Sequence, residues 1–173
     1  MKFYSGFSLK NESYLFEAFI KDTEFTVCGF SYGAIKAFEY VKKELACGNR
    51  IDTLQLFSPA YFQSKTREFK QLQLMAYRRN EEVYLRQFIN ACFAPYSVKP
   101  LEHSVTILEE LDELLHFQWV FDELQEIVEQ GVKIEVYLGS EDRIIDAESA
   151  KHFFLQVATV TYIKNANHFL QIN

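Results

Sequence analysis

Five residues constrain this chain more than any others: Gly29-Phe30-Ser31-Tyr32-Gly33, lying between an extended apolar run and an amphipathic pattern. The run Thr23 to Cys28 is a buried-strand candidate, because Phe25, Thr26 and Val27 favour extended backbone. Behind the turn, Ala34, Ile35, Phe38, Val41 and Leu45 recur at helical spacing, and Gly48-Asn49 stops that helix. A serine at such a strand-to-helix turn is held in a strained conformation, and side chains two residues to either side would collide. The helix N-terminus behind Ser31 favours a developing negative charge. The pentapeptide thus requires a strand that feeds a helix and offers Ser31 as a nucleophile. The rival reading is a plain strand–helix turn with an incidental serine.

The rest of the chain repeats this alternation. Lys2-Phe3-Tyr4 is a short strand ending in Ser5-Gly6-Phe7-Ser8, and Asn11 and Ser13 offer caps for a short helix through Ile20. A strand at Thr53 to Phe57 closes at Ser58-Pro59. Residues 61 to about 130 are helical in pattern, with breaks near Asn80 and from Pro95 to Pro100, and carry no strand signal. Val132 to Leu138 alternates as a strand and ends in Gly139-Ser140-Glu141-Asp142; Ala147 to Val157 is a helix capped by Asp146. A last strand, Thr159 to Ile163, leads into Asn165-Ala166-Asn167-His168. The expected fold class is α/β, a mostly parallel sheet with helices on both faces, formed by a single domain over residues 1–173. Within it, residues 61–130 supply a helical cap over one end.

Composition narrows the function classes. The net charge of −6 argues against general nucleic-acid binding, and no window approaches a membrane span. The first residues resemble no targeting signal, and Cys28, Cys47 and Cys92 have neither CxxC nor metal-like spacing. They read as reduced thiols of a cytoplasmic protein without a structural metal. Charge is unevenly spread: from Lys65 to Arg86 six basic residues face three acidic ones, while Leu101 to Gln130 holds nine carboxylates and no Lys or Arg. Such segments are either solvated surface or a basic patch for an acidic partner.

A serine nucleophile needs a base and a group to orient that base. Of four histidines, His116 and His152 lie inside helical patterns and His103 lies in a break, whereas His168 follows the last strand in a polar turn. Asp142 follows a strand and Gly139, which places its carboxylate at the same sheet edge; Asp146 competes, with capping as its other use. The order Ser, Asp, His is one of three known orders for this triad. The oxyanion hole needs two donors: the backbone N–H of Tyr32, and the Phe7 N–H from the Gly6-Phe7 loop.

These segments resemble the α/β-hydrolases. Gly6-Phe7 resembles their His-Gly-Trp oxyanion loop, with Ser5 where histidine is usual, and residues 29–33 resemble the nucleophile elbow. Gly139 to Ile145 resembles their acid loop, and Asn167-His168-Phe169 their Gly-His-x turn, with asparagine replacing glycine. The chain is further similar to the pimeloyl-[acyl-carrier protein] methyl ester esterases of biotin biosynthesis, in particular the short BioV type. Ser58-Pro59-Ala60-Tyr61-Phe62 resembles the entry to their cap, and Glu82 to Phe88 resembles a cap helix whose phenylalanine, here Phe88, lines the acyl channel. About 22 residues separate Gly6-Phe7 from Gly29, where the family fits a further strand and helix, and the usual leading hairpin is absent. The expectation is a reduced α/β-hydrolase fold with about five strands.

The resemblance implies a serine carboxylesterase that needs no cofactor and hydrolyses a methyl ester on an acyl chain attached to an acyl carrier protein, with neither nucleic acid nor membrane as partner. Ser31 would attack, with His168 as base and Asp142 behind it; Gly6, Phe7, Tyr32 and Phe88 would meet the substrate. Because acyl carrier proteins are acidic, Lys65, Arg67, Lys70, Arg78, Arg79 and Arg86 of the cap would meet the carrier. The alternatives are another acyl ester or thioester hydrolase and a non-catalytic carrier-binding domain.

Overall fold

The computed structural model describes all of residues 1–173. In chain order its elements are β1 (Lys2–Tyr4), β2 (Leu9–Lys10), a 3-10 helix (Glu12–Phe16), β3 (Thr26–Phe30), α1 (Tyr32–Ala46) and β4 (Thr53–Phe57). There follow α2 (Arg67–Arg79), α3 (Glu81–Phe93), β5 (Glu102–His103), α4 (Leu108–His116), α5 (Phe121–Glu129), β6 (Lys133–Gly139), α6 (Ala147–Phe154) and β7 (Thr159–Ile163). Five strands form one sheet in the order β1-β3-β4-β6-β7, and every neighbouring pair is parallel. Parallel strands all end on one edge, so the loops after β1, β3, β6 and β7 are brought together there.

Strand periodicity divides the core in two. Val27, Leu54, Leu56, Ile134, Val136 and Leu138 share one cluster with Ala34, Ile35 and Phe38 of α1, Leu124 and Ile127 of α5, and Ala150 and Phe154 of α6. Cys28, Phe30 and Phe57 face the other way, onto Phe16 of the 3-10 helix, Ile89, Cys92 and Phe93 of α3, and Phe169. Interior β3 is buried along its whole length, whereas edge strand β7 exposes Thr159 and Thr161. In the chain between β4 and β6, α2 packs on both α3 and α4, while α5 lies against α1. Asn80 ends α2 and starts α3, its side chain accepting the Val83 N–H at 3.0 Å. No helix is long and apolar enough to cross a membrane.

Several local expectations change: the short helix expected through Ile20 is a 3-10 helix that ends at Phe16, and the helix expected to reach Val157 ends at Phe154. A two-residue strand, β5, occurs in the block without strand signal, because Glu102–His103 pairs antiparallel with Leu9–Lys10; two residues are too short to show alternation. Asn11 does not cap: it is left-handed, with φ 62°, and makes no capping hydrogen bond. Strand β3 is shifted towards the elbow, because residues 23–25 form the turn that enters it.

The second face of the sheet also carries a polar cluster, around Gln55 and Glu135. Gln55 is fully buried on β4; its amide donates to the Phe19 carbonyl at 2.9 Å, Glu135 Oε2 at 3.1 Å and Tyr137 OH at 3.2 Å, and it accepts the Lys21 N–H at 2.8 Å. This ties segment 19–21 across the sheet. Burial opposes the charge on Glu135, yet Lys133, Lys21 and Tyr137 outweigh it and lower its pKa to about 2. A depressed folded-state pKa gives stability that is present above the ordinary value near 4.5 and lost as pH falls through about 2. Urea unfolding at pH 6 and pH 2 is expected to show a Glu135-dependent loss on the order of 2 kcal/mol, discounted because both lysines are half-exposed. Glu135→Gln is expected to lack that part of the decline; identical pH profiles in both proteins would refute the assignment.

Candidate active site

Ser31 sits between β3 and α1 with φ 52° and ψ −114°, outside the regions that ordinary side chains favour. Backbone bonds hold it there: its N–H donates to the Phe57 carbonyl at 2.9 Å, and its carbonyl accepts from Ala34 at 3.1 Å and Ala60 at 3.1 Å. A Cβ on Gly29 would strike the Gly33 carbonyl, and one on Gly33 would strike the Tyr4 and Ser5 carbonyls, so the turn also presses against the end of β1.

His168 follows β7 and is fully buried. Its Nε2 lies 3.0 Å from Ser31 Oγ and its Nδ1 lies 2.6 Å from Asp142 Oδ2. Asp142, in the loop after β6, uses its other oxygen, Oδ1, to accept the N–H groups of Ile144 at 2.8 Å and Ile145 at 3.1 Å. In the tautomer with the proton on Nδ1, that N–H donates to Asp142 Oδ2 and Nε2 is left to accept from the serine hydroxyl. Asp146 is used differently: it caps α6, accepting the Ser149 N–H at 3.0 Å and the Ser149 hydroxyl at 2.7 Å.

Neighbouring loops brace the histidine. Gly139 has no room for a Cβ, which would strike the Ala166 and Asn167 carbonyls, and Glu141 N–H donates to Ala166 O at 2.8 Å. Asn167, which stands where the resemblance has glycine, is fully buried and uses its whole amide. It donates to Phe93 O at 2.7 Å and Gln171 Oε1 at 2.9 Å, and accepts the N–H groups of Phe169 and Gln171, each at 3.0 Å. The signal for this organising role in the sequence is an Asn directly beside a histidine in a tight turn. Phe30 stacks on Phe169 with ring centroids 4.8 Å apart and lies 5.1 Å from the His168 ring.

The two amides assigned to an oxyanion hole, those of Phe7 and Tyr32, donate to no backbone acceptor. Tyr32 is the first residue of α1, where N–H groups have no intrahelical partner. Its phenol donates to Glu113 Oε2 of α4, and Lys36 on the next turn of α1 pairs with Glu110 at 3.1 Å. Burial and then that carboxylate push the Tyr32 phenol up, so the hydroxyl remains the donor. The Phe7 ring is buried and meets Tyr32 at 6.4 Å and Phe88 at 6.0 Å.

Phe88 also lines an apolar cavity of about 320 Å³ with Phe62, Phe69, Tyr84, Leu111, Leu115 and Ile144. Ser31 and His168 do not line it; Arg143 and Ile144, which follow Asp142, do. Of the six basic residues expected to meet a carrier, Arg67, Arg78, Arg79 and Arg86 are exposed and Lys65 is half-buried over the Phe69 ring. Lys70 departs from the expectation of a surface contact. It is 7% exposed, because the helical repeat puts it on the inward stripe of α2 with Leu74 and Tyr77. No group of three or more His, Cys, Asp or Glu side chains is placed to hold a metal ion.

No protein-family model matches the chain, and no curated protein matches its sequence. Solved structures do match its fold. Carboxylesterase CesB (YbfK) from Bacillus subtilis superposes with a TM-score of 0.55 at 18% identity, covering 95% of this chain and 62% of that one. A bromoperoxidase from Bacillus anthracis gives 0.59 at 15% identity, covering 83% and 60%. BioG from Haemophilus influenzae gives 0.57 at 10% identity, covering 97% and 87%. The chain therefore has a reduced α/β-hydrolase fold. It spans little more than half the length of several of these structures, such as the 54% covered of naproxen esterase from Bacillus subtilis.

Proposed function

We propose that this protein hydrolyses carboxylic esters through an acyl-enzyme on Ser31. The observation that carries the reading is the unbroken path Ser31 Oγ, His168 Nε2, His168 Nδ1, Asp142 Oδ2, with links of 3.0 and 2.6 Å at the C-terminal edge of a parallel sheet. Ser31 attacks the ester carbonyl while His168 takes its proton. Asp142 stabilises the imidazolium, and the Phe7 and Tyr32 N–H groups receive the oxyanion. His168 then protonates the departing alcohol, and water, activated by the same imidazole, releases the acid. The carboxylesterases among the fold's neighbours support an ester as substrate.

The finer reading is the methyl ester of a pimeloyl chain carried by an acyl carrier protein, released as methanol and the free acid. It is supported by the sequence likeness of the cap segments, by the apolar cavity beside Phe88, and by the exposed arginines Arg67, Arg78, Arg79 and Arg86. Carrier-bound pimeloyl methyl ester is expected to be turned over with higher kcat/KM than short soluble esters. Reversing Arg78 and Arg79 to Glu together is expected to lower kcat/KM for the carrier-bound ester about 10-fold or more while changing a soluble ester far less. Equal rates on both substrates in the wild type would remove the carrier from the assignment and leave a general ester hydrolase.

A further inference from the structure

Glu12 is a charged residue with no exposed surface, lying against the loop that carries Gly6 and Phe7. Its Oε1 accepts the Gly6 N–H at 2.7 Å, while its Oε2 is buried without a hydrogen-bond partner. Burying a carboxylate with one oxygen lacking a hydrogen bond of good geometry works against stability, and burial accordingly raises its pKa against the pull of the Gly6 amide, its own amide and the Ser5 hydroxyl. Such an arrangement points to a use beyond folding.

The loop shows what that use is. The Gly6 carbonyl accepts the Leu9 N–H at 3.1 Å, and in a trans peptide this turns the Phe7 N–H to the opposite side. Beyond Phe7, the chain is clamped from the cap: β2 pairs with β5, Ser104 N–H donates to Ser8 O at 3.0 Å, and the Ser104 hydroxyl donates to Leu9 O at 3.2 Å. Glu12 is the anchor on the other side. Together the anchors fix two consecutive peptide planes, Ser5–Gly6 and Gly6–Phe7, and leave the Phe7 N–H without an acceptor.

We propose that Glu12 is a positioning residue that holds the Gly6 N–H so that the Phe7 N–H is aimed at the oxyanion formed on Ser31. The inference rests on the acyl-enzyme reading of this site. Glu12 touches no substrate and exchanges no proton; it acts through the peptide it holds. Removing its acceptor leaves the β2–β5 pairing and the Gly6–Leu9 bond in place, so the loop relaxes locally around Gly6.

Two variants test this: Glu12→Met, which fills the space without accepting a hydrogen bond, and Glu12→Gln, whose amide oxygen still accepts. Each is assayed with a small soluble ester and with a trifluoromethyl ketone, whose serine adduct carries an oxyanion. Glu12→Met is expected to lower kcat about 10- to 100-fold and weaken the ketone in step, with KM within about 3-fold. Glu12→Gln is expected to stay within about 3-fold of wild type in both. A folded Glu12→Met with unchanged kcat and ketone affinity would overturn the proposal, and so would a folded Glu12→Gln that loses about 10-fold or more in both, as Glu12→Met is expected to. If Glu12→Met does not fold, Glu12→Leu, which likewise offers no acceptor, is read against Glu12→Gln by the same measurements. Failure of the underlying reading is separately visible, as a Ser31→Ala protein that still turns over the ester.

Discussion

Replacing Ser31 by alanine is expected to lower kcat by about 10⁴- to 10⁶-fold while leaving the fold intact. The side-chain oxygen is the only group in the site positioned both to be deprotonated by His168 Nε2, 3.0 Å away, and to form a covalent bond with the substrate. Ser31 sits at φ 52°, and its backbone bonds to Phe57, Ala34 and Ala60 do not involve the hydroxyl, so alanine inherits the same turn. The strain stays and the nucleophile goes. Residual rate above water is expected from the two unpaired amides, which still bind an oxyanion formed by direct attack of water. Steady-state kinetics together with mass spectrometry after fluorophosphonate treatment check this. Wild type is expected to gain one adduct, on Ser31, and the variant none. A variant that turns over esters at the wild-type rate would end the acyl-enzyme account.

Asp142→Asn is expected to cost about 10³- to 10⁴-fold in kcat, for a different reason. Oδ1 accepts two backbone N–H groups, from Ile144 and Ile145, whereas Oδ2 meets the imidazole. An asparagine orients its carbonyl oxygen towards the two amides, which need an acceptor, and its NH₂ towards His168. A donor facing Nδ1 forces the proton to Nε2, so the imidazole can no longer accept from Ser31. The loop geometry survives and the tautomer is wrong. Asp146→Asn is the control: it touches the Ser149 cap and is expected to change stability by no more than about 1 kcal/mol, with activity kept. A larger activity loss from Asp146→Asn than from Asp142→Asn would transfer the role to Asp146.

Much of the fold is visible in the chain because its signals are local. The strands at 2–4, 53–57 and 159–163 lie where β-branched and aromatic residues cluster between turn residues, and α1 lies where apolar residues recur every three or four positions. Asn80 shows how a local rule holds, ending one helix and capping the next with its own side chain. The exceptions have no local cause. Strand β5 exists only because Leu9–Lys10 comes alongside it from about ninety residues earlier in the chain. Lys70 belongs by type to a solvated basic surface, but the phase of α2 is set by Tyr77 and Leu74 packing inward, and that phase carries the lysine with it. Gln55 and Glu135 interrupt an apolar strand pattern because the 19–21 segment and two lysines supply partners that only the assembled sheet provides.

By itself the sequence determined that Ser31, Asp142 and His168 each follow a strand of one parallel sheet. Parallel strands joined by right-handed crossovers must end on a common edge, so chain order alone brought the three loops to the same side. Tertiary structure decided everything finer than that edge. Which carboxylate reaches the imidazole, how Asn167 shapes the histidine turn, and that buried Glu12 holds the Gly6 amide all depend on hydrogen-bond reach. The Ser31–His168 contact joins residues 137 positions apart. Hydrogen bonds act over about 3 Å, whereas residue pattern places a loop only to within a few residues. That gap is closed by strand register and side-chain packing.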